Sequence, residues 1–252
     1  MQRIKQAKIL IDGELVTRDV LIDGKTITRV AEHIESDVET IDAKGAFLSA
    51  GLVDVHVHFR EPGFEYKETI ATGSAAAARG GFTTVIAMPN LNPVPDTPAR
   101  LAKQIALNQG SAAVHVAQYG AVSSDLTATA ISDIVGMSQA GAAAFSNDGK
   151  GVQTADTMLQ AMLVAAKVNK PLVAHLEDDS LLHGGVMNAG AQAEKIGLPG
   201  ITGLAESSQL ARDLVLAKAT GVHYHVAHIS TKASVDLVRI AKQQGVKVTA
   251  EV

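Results

Sequence analysis

The chain has 252 residues, no cysteine and no tryptophan, is 46% hydrophobic and 3% aromatic, and carries a formal net charge of −4. Disulfide frameworks and thiolate metal sites are therefore excluded. Nine histidines remain, so any transition-metal site must use nitrogen and oxygen donors, a set suited to zinc, manganese or iron. The mild acidity and the lack of a Lys/Arg-rich run give no footprint for nucleic acid or anionic lipid. No apolar run reaches the roughly 18 to 20 residues of a bilayer span. Met1 to Gln6 turns polar again before a signal-peptide core could form, so a cytoplasmic location is expected.

The length admits one large core, or a small domain followed by a larger one. Residues 1–50 read as the first segment of a small β-rich domain. Its apolar runs Ala7 to Ile11, Val20 to Ile22 and Thr26 to Val30 are separated by Asp12-Gly13 and Asp23-Gly24, both hairpin signals. A small antiparallel sheet is expected there. From residue 51 to 252, short apolar runs alternate with Ala-rich helical stretches. Strands are predicted at 52–58, 83–88, 113–118, 142–146, 171–175, 222–228 and 246–252, with helices over 65–79, closed by Gly80-Gly81, and over 154–168. Strands and helices alternating at about 30-residue intervals are what a right-handed βα wind produces, as a barrel or a doubly wound sheet. No dinucleotide or Walker fingerprint is present, which lowers the weight of nucleotide folds.

Candidate chemistry gathers at strand ends. In Asp54-Val55-His56-Val57-His58, alternate residues share one face, so His56 and His58 project side by side. His175 and His228 each sit where an apolar strand stops, and Asp148 follows the run Ala142 to Ser146. Taken singly, each histidine is compatible with a core or rim group satisfied by the backbone. In a barrel, however, side chains at the C-terminal ends of different strands converge on one mouth. Convergence of His56, His58, Asp148, His175 and His228 would supply five ligands, more than a single tetrahedral ion needs, and a two-metal site bridged by a carboxylate is the economical reading. His33, His115, His183, His223 and His225 fall off this pattern and read as structural.

The segment Asp54 to Gly63, with its His-x-His-x-Arg-Glu-Pro-Gly core, resembles the bacterial dihydroorotases among the cyclic amidohydrolases. Lys67-Glu68-Thr69, Ala87 to Pro93, Phe145 to Gly149, Ala174 to Asp178 and Val226 to Thr231 extend the resemblance along essentially the whole chain. It implies a TIM-type (β/α)8 amidohydrolase barrel with a small N-terminal β-sandwich portion. It implies two Zn2+ ions, with His56 and His58 on the more buried ion, His175 and His228 on the other, and an anionic bridge. Many relatives bridge with a carboxylated lysine. The branch resembled here uses aspartate, which assigns the bridge to Asp148 over its rival Lys150, placed in the solvated-looking Asp-Gly-Lys-Gly loop. Gly149 and Gly151 allow an unusual backbone path beside it.

The implied reaction is the reversible cyclisation of N-carbamoyl-L-aspartate to L-dihydroorotate in pyrimidine synthesis. Arg60 offers a two-pronged donor for the substrate carboxylate, Asn90 an amide, and His58 belongs to both the metal and substrate sets. A solvated Arg60 and a turn-forming Asn90 are the plainer alternatives. Glu206 and Arg212 read as helix-surface or fold-maintaining groups. Family members carry a proton-moving aspartate on the last barrel strand, and the sequence stops at Val252 on the seventh. No proton-transfer residue is therefore expected within these residues, the barrel is expected to be incomplete at its C-terminal side, and turnover by this exact chain is expected to be weak or absent. Two alternatives stay open: an amidohydrolase acting on allantoin or a dihydropyrimidine, or a metal-free subunit that scaffolds a transcarbamoylase. A homodimer is compatible with either.

Overall fold

A computed structural model describes all residues, Met1–Val252, and they divide into two compact units, Met1–Gly51 and Leu52–Val252. The first unit contains β1 (Gln2–Ile11), β2 (Glu14–Asp23), β3 (Thr26–Ala31) and β4 (Glu39–Asp42) in the sheet order β3-β2-β1-β4. β1–β2 and β2–β3 are antiparallel, as the Asp-Gly turns predict. The expectation of a purely antiparallel sheet is corrected by β4, which lies parallel to β1. The chain reaches that edge because the buried carboxylate of Asp19 gathers it in: its oxygens accept from the backbone N–H of Gln6 at 2.9 Å and of Ile34 at 3.0 Å.

The second unit runs β5 (Leu52–Val57), α1 (Ile70–Arg79), β6 (Phe82–Ala87), α2 (Pro98–Ser111), β7 (His115–Gln118), β8 (Gly120–Ala121), α3 (Ile134–Gln139), β9 (Phe145–Ser146), α4 (Ala155–Lys167) and β10 (Leu172–Ala174). It continues through β11 (Met187–Asn188), α5 (Ala191–Ile196), β12 (Gly200–Ile201), α6 (Leu204–Thr220), β13 (Tyr224–Val226), α7 (Lys232–Gln243) and β14 (Val248–Ala250). Strands β5-β6-β7 form one parallel sheet and β8-β9-β10-β13-β14 another, while β11 and β12 pair apart from both. The two arcs are joined through Tyr119, whose N–H still bonds Ala87 of the first arc while the next N–H, of Gly120, bonds Ala144 of the second. The unit is thus α/β, with parallel strands succeeding one another in chain order.

Alternation along these strands divides the core. Phe145, Leu172, Ala174, Tyr224 and Val226 pack with Met158, Met162 and Leu210 of the helices, whereas Ala144, Val173 and Ala227 form a separate cluster with Met88 and Tyr119. Period-2 side chains buried on both faces explain why the strands read as unbroken apolar runs.

Threonines set several helix starts: Thr69, Thr97, Thr154 and Thr231 each accept from a first-turn N–H. This corrects the helix predicted over 65–79. Thr69 is extended (φ −117°, ψ 162°) and forms a reciprocal cap with Thr72, so the helix begins at Ile70 and residues 65–69 remain a turn. Its other end behaves as predicted, with Gly81 at φ +85° beyond Arg79. Inside that helix, a Cβ built on Gly73 would lie 2.5 Å from the buried ring of Phe59. Gly73→Ala is expected to destabilise the protein by about 1–2 kcal/mol, because overpacking outweighs the gain in helix propensity. A raised melting temperature in thermal unfolding would contradict this.

Candidate metal centre

The ends of β5, β9, β10 and β13 bring His56, His58, Asp148, His175 and His228 together. Two sets of donors form, His56–His58–Asp148 and Asp148–His175–His228, each with its ligand atoms within 4.8 Å of one another. Asp148 is common to both. Its Oδ1 lies 3.4 Å from His56 Nε2, 3.5 Å from His175 Nδ1 and 3.2 Å from His228 Nε2, and its Oδ2 lies 3.4 Å from His58 Nε2. The paired imidazole nitrogens are 3.3 Å apart in the first set and 3.0 Å in the second.

Neighbouring groups aim these nitrogens. His58 Nδ1 meets Asn90 Oδ1 at 3.0 Å and His56 Nδ1 meets Glu251 Oε1 at 2.6 Å, which leaves the Nε2 atom of each ring facing Asp148. Asn90 also donates through Nδ2 to Asp148 Oδ2 at 3.3 Å. Both ends of its amide are therefore engaged with site side chains, beyond the substrate donor expected from sequence. On the far side of the other set, Glu177 Oε2 lies 4.0 Å from His175 Nε2.

Asp148 is 3% exposed and is held there by its neighbours. Asn147 Oδ1 accepts from the N–H groups of Val122 and Ser123, and its Nδ2 donates to Ser123 Oγ and Leu126 O. An ionised carboxylate at that position could not make the last of these bonds, because the carbonyl of Leu126 needs a donor. Gly149 has φ +82°, and a Cβ on Gly151 would strike the carbonyl of Glu177, so this turn requires its glycines. Burial acts to raise the pKa of Asp148, but hydrogen bonds from His175, His228 and His56 outweigh it and hold the carboxyl well below its ordinary value. For His58, burial dominates and lowers the pKa. For His228, the Asp148 hydrogen bond dominates and raises it.

Arg60, at φ +57°, lines a cavity of about 270 Å³ with Phe64, Asn90, Leu91, Asp148 and Lys150. Lys150 is exposed, at the rim of this space. A second cavity of about 360 Å³ opens beside His175 and His228 and is lined by Asn188, Thr202 and Glu206. Of the histidines read as structural, His225 stays off the donor sets and meets Thr249 Oγ1 at 2.7 Å, and His33 is mostly exposed. Glu251, one residue past β14, touches His56 and is not singled out by the sequence reading. A carboxylate near the end of the seventh predicted strand, 246–252, is the signal that could have found it.

The fold matches solved structures of an L-hydantoinase (dihydropyrimidinase) from Arthrobacter aurescens, with TM-score 0.82 and 23% identity over 99% of this chain and 57% of that one. A dihydropyrimidinase from Brevibacillus agri gives TM-score 0.79 at 20% identity over all of this chain and 57% of that one. At such identities the likeness concerns the fold. The dihydro-orotase-like family matches residues 45–234, and the chain belongs to that family. Curated dihydroorotases from Lactobacillus leichmannii, Ligilactobacillus salivarius and Staphylococcus aureus are 55%, 56% and 52% identical to it. They are matched over 98–100% of this chain, which spans only 58–60% of their own length.

Glu206 turns out to hold the loop that carries His228. Its Oε2 accepts from Ser230 N–H at 3.0 Å and its Oε1 from Thr231 N–H at 3.1 Å, with both hydroxyls added. Burial alone would raise its pKa, but these hydrogen bonds lower it below the ordinary glutamate value. The stabilisation is therefore present above the unfolded-state pKa and is lost as pH falls through the folded one. Glu206→Ala is expected to cost about 1–3 kcal/mol near pH 7. In denaturant titrations the gap between wild type and variant should close in acid, and a gap that widens there would refute the assignment.

Proposed function

We propose that this chain carries the metal centre and part of the substrate site of a dihydroorotase, which interconverts N-carbamoyl-L-aspartate and L-dihydroorotate. The observation that carries the reading is the sharing of one buried carboxylate, Asp148, between two histidine pairs. The names of the curated relatives support it. In this reading the second unit is the greater part of a (β/α)8 barrel. The first unit is one layer of a small β-sandwich, in keeping with the exposed Leu10, Leu15, Ile27, Val30 and Ile41 on its strands.

The donor set fits zinc. Two ligand atoms held about 2.0–2.1 Å from a tetrahedral ion stand roughly 3.3 Å apart, and the separations within each set are 3.0–3.5 Å. His56 and His58 would hold one ion, His175 and His228 the other, and Asp148 would bridge them. Zinc bound there would supply Lewis-acid polarisation of a carbonyl and a water activated at neutral pH.

The chain's own groups do the rest. Ring opening adds water to an amide carbonyl and breaks its C–N bond, and ring closure reverses this with loss of water. Asp148 and the four imidazoles fix where that carbonyl meets the centre. Arg60, in the cavity that also borders Asp148, receives the ring carboxylate through two parallel N–H donors. Asn90 keeps His58 and Asp148 in register, and its amide borders the same cavity. Lys150, on the rim, adds positive charge toward a dianionic substrate.

Dialysed protein is expected to retain two zinc ions per chain. Asp148→Ala should release both and, in a polypeptide of the relatives' full length, lower turnover by more than about 100-fold, since even partners behind the ligands contribute about 10- to 100-fold. Elemental analysis beside a cyclisation assay checks this, and an active, metal-replete Asp148→Ala would refute it. Arg60→Met should raise KM for dihydroorotate by about 10- to 100-fold, the scale of a hydrogen bond to a charged group. The same variant should leave an uncharged dihydropyrimidine ring unaffected. If wild type turns over the uncharged ring in preference to dihydroorotate, the allantoinase or dihydropyrimidinase reading replaces this one.

A further inference from the structure

The two imidazoles of the first donor set differ in what stands behind them. His58 backs onto a neutral amide, Asn90 Oδ1, at 3.0 Å. His56 backs onto a carboxylate, Glu251 Oε1, at 2.6 Å. Glu251 is firmly placed. Its N–H donates to Val226 O at 3.0 Å and its carbonyl accepts from Ile229 N–H at 2.8 Å, which carries the β13–β14 ladder one residue past the strand. Its Oε2 lies 3.7 Å from His225 Nε2, a buried nitrogen with no hydrogen bond. The His56 and Glu251 side chains are only 12% and 20% exposed, so water screens the pair poorly.

A carboxylate behind a ligating imidazole does two things. It fixes the ring as the Nδ1–H tautomer with Nε2 free to ligate, and its charge makes Nε2 a stronger donor. An amide achieves the first and little of the second. We propose that Glu251 is the positioning residue for His56, selectively strengthening the His56–His58–Asp148 ion over the one held by His175 and His228. The proposal rests on the two-metal reading above. The competing role is a plain tie between β14 and β5, which would stabilise the chain without distinguishing the two ions.

The test is zinc competition against a chromogenic chelator, on the same protein in which wild-type turnover is measured, with wild type, E251A and E251Q compared. E251A is expected to hold one ion about 10- to 100-fold more weakly and the other at wild-type affinity. E251Q, which keeps an acceptor for Nδ1–H and loses the charge, should fall between. In a His228→Asn background the E251A loss should persist, and in His58→Asn it should largely vanish, because only the first set depends on the Glu251 carboxylate, while the backbone carbonyl that restrains the His228 segment is kept in every variant. Wild-type retention of both ions in E251A would overturn the proposal, as would equal weakening of both together with a lower unfolding temperature of the metal-free form. If E251A does not fold, E251Q decides: weaker retention of one ion upholds the proposal and unchanged retention overturns it. A wild-type protein that takes up no zinc instead defeats the two-metal reading itself, a result distinct from either.

Discussion

A buried carboxylate surrounded by imidazoles is the interaction on which the second unit depends. Asp148 sits at 3% exposure with four histidines 3.2–3.5 Å from its oxygens. An uncompensated anion at that depth would cost several kcal/mol. The four imidazoles come from the ends of β5, β10 and β13, while Asp148 comes from the end of β9. Parallel strands with short returns are what bring these ends to one side. Fold and site thus constrain each other, since the strand order puts the donors in reach and the donors stabilise a charge the core alone would reject.

The histidines and the aspartate could be recognised in the sequence because each stands at a place the chain marks twice, by the end of an apolar run and by its residue type. Strands β9, β10 and β13 were legible because burial on both faces makes their runs largely apolar. What was less legible depends on partners far away in sequence. Glu251 meets His56 across 195 positions and Asn90 meets Asp148 across 58, and no local spacing encodes such meetings. The start of α1 was misread because Glu65 to Glu68 carries good helix formers, while the decisive event is the Thr69–Thr72 cap that stops propagation. The parallel edge strand β4 was missed because its partners are distant in sequence: it pairs with Gln2 to Lys5, and the segment leading to it is tied back through Ile34 to the buried Asp19.

Around the centre, polar side chains do what backbone ladders do elsewhere. Asn147 saturates both ends of its amide to lock the strand-end turn, and Gln209 Oε1 accepts from the N–H of Glu177, two residues past His175. Asp213, fully buried, accepts from Tyr224 Oη at 2.7 Å and from Arg212 Nε at 2.8 Å, while Arg212 also donates to the carbonyls of Val152 and Gln153. Burial raises the pKa of Asp213 against the pull of that arginine. Glu206 and Arg212 read from sequence as helix-surface or fold-maintaining groups, and both tie loops near the strand ends to α6.

Two of the site residues lie in the left-handed region that side chains other than glycine seldom occupy: Arg60 at φ +57° and His228 at φ +36°. Such a conformation costs on the order of 1–3 kcal/mol and persists only where the surroundings over-determine it. At Arg60 the carbonyl accepts from Phe64 N–H at 2.9 Å, closing the turn that precedes α1. At His228 the restraint is heavier. Ile229 N–H bonds Glu251 O, and Ser230 and Thr231 are gripped by Glu206 before Thr231 caps α7. Strain and restraint therefore coincide at residues whose side chains face the centre, where a relaxed backbone would turn His228 away from Asp148. Glu251 serves both ends of this arrangement, its carbonyl restraining the His228 segment and its carboxylate aiming His56. One residue outside both donor sets thereby couples the orientation of a histidine in each.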